Sequence, residues 1–334
     1  MRVSQKELDQ LFDDFATLNI LIIGDVMIDS YYWGKVDRIS PEAPVPIVAV
    51  KSKESRMGGA ANVALNIQAM GATPILCSVI GEDEEGDEFI ELVEKRKQSA
   101  KGILRSANRK TTKKTRIIGN NHQMLRIDAE DVNPIQAEEE SNFFDLISGI
   151  IDSESIDAII FEDYDKGVIT EGLIQKVVNL ANQKRIPTTV DPKKRNFTAY
   201  NEVTLFKPNL KELKEGLKID FNHRNQEELE AAIQQLEENL GNEQTLITLS
   251  ESGVFIKSKE EKHHIPAHLR DITDVSGAGD TVISVATLCA ALKKEPKLIA
   301  ELSNLAGGLV CENVGVVPIK KEDLLAEAKR LFAD

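Results

Sequence analysis

Apolar residues along the chain recur in two alternating rhythms. Short, nearly continuous apolar runs stand at NILIIGD (19–25), TPILCSVIG (73–81), IDAIIFED (156–163), IPTTVD (186–191), TLFKPN (204–209) and TLITLS (245–250). Between them the spacing becomes that of an amphipathic helix, as in AANVALNIQAM before Gly71, EGLIQKVVNLANQ (171–183) and NQEELEAAIQQLEENLG (225–241). Glycine follows the last apolar position of the first and third, which suits a helix C-cap. Apolar strands alternating with helices predict an α/β fold whose mostly parallel sheet is sandwiched by helices.

Two stretches break that rhythm. PEAPVPIVAV (41–50) is proline-rich and then strand-like, while TTKKTRIIGNNHQMLRID (111–128) predicts two strands joined by a turn at Gly119-Asn120-Asn121. Both are too polar for central strands. They predict a small β-sheet lid, with strands around 31–52 and 103–130, inserted in a single domain spanning 1–334. Ligands of open α/β sheets bind beyond the carboxyl ends of the strands, so such a flap would cover the crevice.

Charge narrows the class of partner. The 334 residues include 41 Lys and Arg against 55 Asp and Glu, a net charge of −14. A field of that sign repels phosphate backbones, and no basic run interleaved with aromatics offsets it, which excludes nucleic acid. The three cysteines, Cys77, Cys289 and Cys311, lie far apart in apolar stretches and read as buried free thiols. The N-terminal residues are polar and acidic, unlike a secretory leader, and no apolar run approaches the ~18 residues of a membrane span. The expectation is a cytoplasmic protein with no membrane partner.

Candidate chemistry concentrates in four places. DVSGAGDT (274–281) puts glycines and an aspartate at the start of an apolar helix. Unpaired N–H groups and the helix dipole favour an anion there, and glycine lets the backbone approach it. Asp280 would repel a phosphate unless it takes a proton from an attacking hydroxyl, so base and anion hole together suit phosphoryl transfer to an alcohol. The plainer alternative is an aspartate capping an ordinary helix. In RMGGAANVALN (56–66), Gly58 and Gly59 precede a helix that carries Asn62, an unfavourable interior residue. Gly59 N–H and the Asn62 amide are candidates for sugar hydroxyls, against a tight turn with a buried asparagine. Asp25 and Asp29 in GDVMID fall where the first strand is expected to give way to a loop, facing the crevice or only water. In KPNLKEL (207–213), Asn209 and Glu212 share a helix face and suit nucleotide phosphate and water-bound Mg²⁺, or else a simple N-cap. GEDEEG (81–86) has P-loop spacing, but Asp87-Glu88 follow where Lys and Ser/Thr are required.

GGAANVA and DVSGAGDT together resemble the two signatures of the ribokinase/PfkB sugar kinases, over roughly residues 18–330. The resemblance implies a ribokinase-like fold with Asp280 as catalytic base and Gly277, Ala278 and Gly279 as anion hole. It implies a sugar or sugar-phosphate substrate at Asp25, Asp29, Gly58, Gly59 and Asn62. ATP is expected at Asn209, Leu210, Lys211, Glu212, Ser250, Gly253, Ser276 and Asn304, with Mg²⁺ met by Glu212 through water. A homodimer through the lid is also implied. GDVMIDSYYWG, RISPEAPVPIV (38–48), EDYDKG (162–167) and DPKKRNF (191–197) are further similar to the branch acting on D-glycero-D-manno-heptose 7-phosphate. That branch phosphorylates the anomeric hydroxyl, and its 1,7-bisphosphate feeds ADP-heptose and lipopolysaccharide synthesis. Glu162 and Asp165 stand where the branch more often has small residues. Arg38, Arg116, Arg126, Lys166 and Lys193 are candidates for the substrate's own phosphate, Lys166 first. The alternatives are a PfkB-type kinase for another sugar, such as fructose 6-phosphate, or a sugar-phosphate sensor without turnover.

Overall fold

The computed structural model describes residues 4–268 and 270–332. From the N-terminus run α1 (Gln5–Phe15), β1 (Asn19–Gly24), β2 (Val26–Ile39), β3 (Pro46–Gly59), α2 (Ala60–Ala69), β4 (Thr73–Gly81), α3 (Glu84–Lys95) and β5 (Gly102–Ser106). Next come β6 (Lys113–Gly119), β7 (His122–Ala129), α4 (Ala137–Ser153), β8 (Ala158–Glu162), α5 (Glu171–Lys184), β9 (Thr188–Asp191), β10 (Leu205–Phe206) and α6 (Leu210–Leu217). The chain continues through α7 (Gln226–Leu240), β11 (Gln244–Thr248), β12 (Val254–Ser258), β13 (Lys262–Ile265), α8 (Ala278–Ala291), α9 (Pro296–Val310) and α10 (Lys321–Phe332).

Nine strands form the main sheet in the order β13-β12-β11-β10-β9-β8-β1-β4-β5. Every pairing from β11 to β5 is parallel, and β12 and β13 add an antiparallel edge. One face of the sheet packs on α1, α2, α8, α9 and α10 through residues such as Phe12, Val63, Leu288 and Leu305. The other face packs on α4, α5, α6 and α7 through Phe143, Val177, Leu213 and Leu236. Central strands buried on both faces explain their unbroken apolar runs, such as Ile20 to Ile23, all inaccessible to solvent.

The second sheet has four strands in the order β3-β2-β6-β7. Its β6–β7 turn places Asn120 and Asn121 at φ 52° and 65°. Asparagine tolerates two successive left-handed residues, as a tight hairpin requires. Two sequence expectations need correction. Residues 102–106 form β5 at the main-sheet edge, so the second pair of lid strands begins at Lys113 and not near 103. The chain after β1 does not enter a loop either: β2 pairs with β3 from Val26 onward and carries Asp29 within a strand. The run Ser30-Tyr31-Tyr32-Trp33 suits a pleated surface, and its aromatic content outweighs the polar signal.

The two sheets are joined without linkers. Asp25 alone separates β1 from β2, and β3 runs directly into α2 at Gly59, whose φ of 62° excludes most side chains. Asp25 O accepts the Ala60 N–H at 2.9 Å, closing both junctions together.

Candidate active site

The crevice lies at the carboxyl ends of β1, β8, β9 and β10, beneath the lid. Helix α8 points its N-terminus into it. Gly277 is the N-cap at φ 79°, and a Cβ there would lie 3.1 Å from the Asn62 amide. The Ala278 N–H turns back to Val275 O at 3.3 Å, and Thr281 N–H makes the first helical bond, to Gly277 O. The amides of Gly279 and Asp280 fall in the first turn, where an α-helix offers no acceptor of its own.

Asp280 is buried. It does not cap the helix. The Asn62 amide donates to its Oδ2 at 2.6 Å, and the Tyr164 hydroxyl donates to its Oδ1 at 2.8 Å. Burial pushes the Asp280 carboxyl above its usual range, the two donors oppose that, and the nearby Asp191 adds to it. Asn62 reaches this place because α2 packs against α8, with Asn66 accepting from Ile319 N–H at 3.0 Å. Asn62 Oδ1 is buried and has no partner among the described residues.

Below Asp280 lies a buried ionic cluster. Lys207 Nζ meets Asp191 Oδ2 at 2.9 Å, and Lys193 pairs with Glu212 and approaches Asp191 at 3.6 Å. Burial alone would raise the Asp191 carboxyl, but Lys207 and Lys193 outweigh it and hold it low. Glu162, cross-strand partner of Asp191, is only 1% exposed, and neither of its oxygens has a partner among the described residues. Burial first, and then the charges of Asp191 and Asp280, push the Glu162 carboxyl well above its usual range.

Several predicted residues of the acceptor side are already engaged. Asp25 accepts from the amides of Tyr164, Lys166 and Val168 at 2.9, 3.1 and 3.0 Å, so it clamps the loop after β8 instead of facing open crevice. Asp29 pairs with Arg116, and a Cβ on Gly58 would strike Asp29 Oδ2. Lys166 Nζ is held by Glu130 at 2.9 Å, and Arg126 by Asp128, so those candidate cations meet carboxylates already.

Ser250, Gly253, Ala278, Gly279 and Asn304 line a cavity of about 470 Å³ on the far side of α8, with Ile272, Val275 and Val282. Asn209, Leu210, Lys211, Glu212 and Ser276 do not line it. Asn209 and Glu212 close a reciprocal capping box on α6, the plainer of the two readings of that motif, although Asn209 bridges to cavity-lining Thr248. Ser276 N–H bonds Asp274, and Lys211 points to solvent. Sequence reasoning missed Tyr164, Lys207 and the Gly307-Gly308 pair that forms one cavity wall. The available signal for the first two was position, since Lys207 directly follows β10 and Tyr164 lies two residues past the end of β8.

The sequence pattern of the pfkB family of carbohydrate kinases matches residues 17–322, and the chain belongs to that family. It is therefore an enzyme of the class that moves a phosphoryl group to a sugar hydroxyl. It is 39% identical over 306 residues to the bifunctional protein HldE of Helicobacter pylori strain J99, covering 91% of this chain and 65% of that protein. The bifunctional protein HldE of Methylobacillus flagellatus is 40% identical, over 92% of this chain and 62% of its own length. The chain thus spans a little under two thirds of these curated relatives. Escherichia coli phosphofructokinase-2 in complex with potassium shares the fold, with a TM-score of 0.76 at 16% identity, covering 94% of this chain and 99% of that one. Arabidopsis thaliana ribokinase complexed with ribose and ATP superposes with a TM-score of 0.72 at 15% identity, over 93% and 99% of the two chains.

Proposed function

We propose that this chain is an ATP-dependent kinase that phosphorylates the anomeric hydroxyl of D-glycero-D-manno-heptose 7-phosphate. The product, a 1,7-bisphosphate, would enter ADP-heptose and lipopolysaccharide synthesis in the cytoplasm. The heptose assignment rests on the resemblance carried by RISPEAPVPIV and EDYDKG, and identity of 37–40% with proteins named HldE supports it. The observation that carries the kinase mechanism is Asp280, buried between two donors at the start of α8 with the cavity of about 470 Å³ beside it.

In this reading Asp280 accepts the proton of the sugar hydroxyl as its oxygen attacks the γ-phosphorus and the bond to the ADP oxygen breaks. The Gly279 and Asp280 amides face charge growing on the transferred group. ATP occupies the cavity, its base against Ile272, Val275 and Val282, and its phosphates toward Gly277 to Gly279. Asn62 Oδ1, which has no partner among the described residues, suits a sugar hydroxyl as acceptor. No group of three His, Cys, Asp or Glu side chains among the described residues forms a metal cage. Mg²⁺ keeps most of its waters and would bind the nucleotide's phosphates. Glu212, with one oxygen capping α6 and the other on Lys193, would touch the ion through water, and the ion would neutralise phosphate charge. Phosphoryl transfer depends on positioning and electrostatics, so the lid's contribution is exclusion of water.

A homodimer through the lid is part of the same proposal. Its support is the exposed apolar surface at Ile39, Val50, Leu125 and Ile127. No described helix is long and apolar enough to cross a membrane.

The test is ADP release with Mg·ATP across heptose 7-phosphate, fructose 6-phosphate, ribose, fructose and no sugar. Turnover with the heptose alone is expected. Turnover only with another sugar keeps the mechanism and discards the heptose assignment.

A further inference from the structure

The proton chemistry at Asp280 raises a difficulty that its surroundings must answer. A base needs to be ionised when the hydroxyl arrives, yet this carboxyl is only 6% exposed. Two other acids face it from neighbouring strands, Glu162 on β8 and Asp191 on β9. The cations within reach are already engaged, Lys207 with Asp191 and Lys193 with Glu212 and Asp191. Lys207 still favours the charged form of Asp280 from a distance, but the direct hydrogen bonds to its carboxyl come from two neutral donors, the Asn62 amide and the Tyr164 hydroxyl.

We propose that Tyr164 is a positioning residue for the transfer: its hydroxyl holds Asp280 Oδ1, keeping the carboxylate ionised and aimed at the acceptor. A carboxylate offers about four lone-pair sites, so two donors leave room for the substrate hydroxyl. Tyr164 is fixed for the task from three directions. Its N–H bonds Asp25 Oδ2 at 2.9 Å, its ring lies under the Lys193 ammonium at 5.7 Å, and its hydroxyl meets Asp280. Burial, reinforced by the acids around it, keeps the phenol far from ionising, so it remains a donor throughout. Asp25 gains a role by the same geometry, as the anchor of the loop that carries Tyr164. The inference rests on Asp280 as the catalytic base.

Tyr164→Phe removes one oxygen and preserves the ring. Its kcat/KM profile is compared with wild type over pH, with thermal melting to establish that the variant is folded. The acid limb is expected to move up by about one pH unit, the weight of one hydrogen bond to a charged group. Activity below the limb then falls about tenfold and returns at alkaline pH, with KM for ATP unchanged. A second readout needs no turnover: the carboxylic-acid infrared band that Asp280→Asn lacks, titrated in sugar-free protein, is expected to shift in the same direction. A uniform loss across pH with an unmoved band reduces Tyr164 to packing and overturns the proposal. Full activity with an unmoved band overturns it too. If Asp280→Asn itself retains turnover, the base assignment fails, while the infrared titration still decides whether Tyr164 governs that carboxyl.

Discussion

The two sides of the α8 N-terminus are built on opposite principles. On the acceptor side, charge is dense and mostly matched in advance: Asp25 by three amides, Asp29 by Arg116, Asp191 by Lys207, and Asp280 by Asn62 and Tyr164. On the cavity side Ile272, Val275, Val282, Gly307 and Gly308 make a largely apolar wall, with Ser250, Arg270 and Asn304 among the polar residues around it. A pre-bonded, buried polar site resists reorganisation, whereas an apolar slot selects by shape. Substitutions on the first side should therefore act on kcat or on folding, and those on the second on KM for the nucleotide.

The sharpest way to break this contrast is Asp280→Asn. Loss of a catalytic base costs ~10²–10⁴ in rate, and a fall in kcat of at least ~10³ is expected with ATP affinity intact by calorimetry. Near-normal turnover would remove the acceptor side from the chemistry. Lys207→Met comes next, because it strands Asp191 in the interior with only the more distant Lys193. Breaking one partner of a buried pair costs about 3–5 kcal/mol, measurable by chemical denaturation.

A smaller effect is expected across α8. A Cβ on Gly308 would lie 3.3 Å from the Arg270 side chain, so Gly308→Val crowds the cavity wall without touching Asp280. Overpacking of ~1–3 kcal/mol should appear as a rise of about tenfold in KM for ATP, with kcat at saturation near wild type. A matching fall in kcat would show that the two sides are not separable.

The smallest effect concerns Glu162, whose carboxylate has no partner among the described residues. Burial raises its proton affinity in the folded chain, so the fold loses stability as pH rises above ~4, where an unfolded glutamate ionises. Glu162→Gln should leave Tm unchanged in acid and raise it progressively towards alkaline pH. A variant that melts lower at pH 8 would mean that Glu162 is ionised and held by the lysines.

Much of this was legible in the order of residues, and the limits have physical causes. The central strands were readable because they are buried on both faces and leave apolar runs. The start of α8 was readable because Gly277 needs a positive φ and the helix behind it is built mostly of apolar and small residues, buried on every side. Strand β2 was not, since it mixes aromatic and polar residues and its inner half, Val26 to Tyr31, buries Asp29 and Ser30, so that Asp29 looked like a loop acid. Tyr164 was invisible as a partner of Asp280 because 116 positions separate them and only the crossing of β8 and α8 brings them together. The cavity wall at Gly307-Gly308 escaped for a related reason, as glycines inside a helix carry no period of their own.

The junction at Asp25 has a mechanical consequence. With one residue between β1 and β2, and none between β3 and α2, the lid is a lever whose inner end is clamped. Three amides on the Asp25 carboxylate, together with Ala60 N–H on its carbonyl, remove the play at that fulcrum. Flexure must occur further out, where the β2–β3 register slips between Trp33 and Gly34 and again between Val36 and Arg38. The near half of the lid, carrying Asp29 and Tyr31, then travels with the parallel sheet, and only the tip is free to swing.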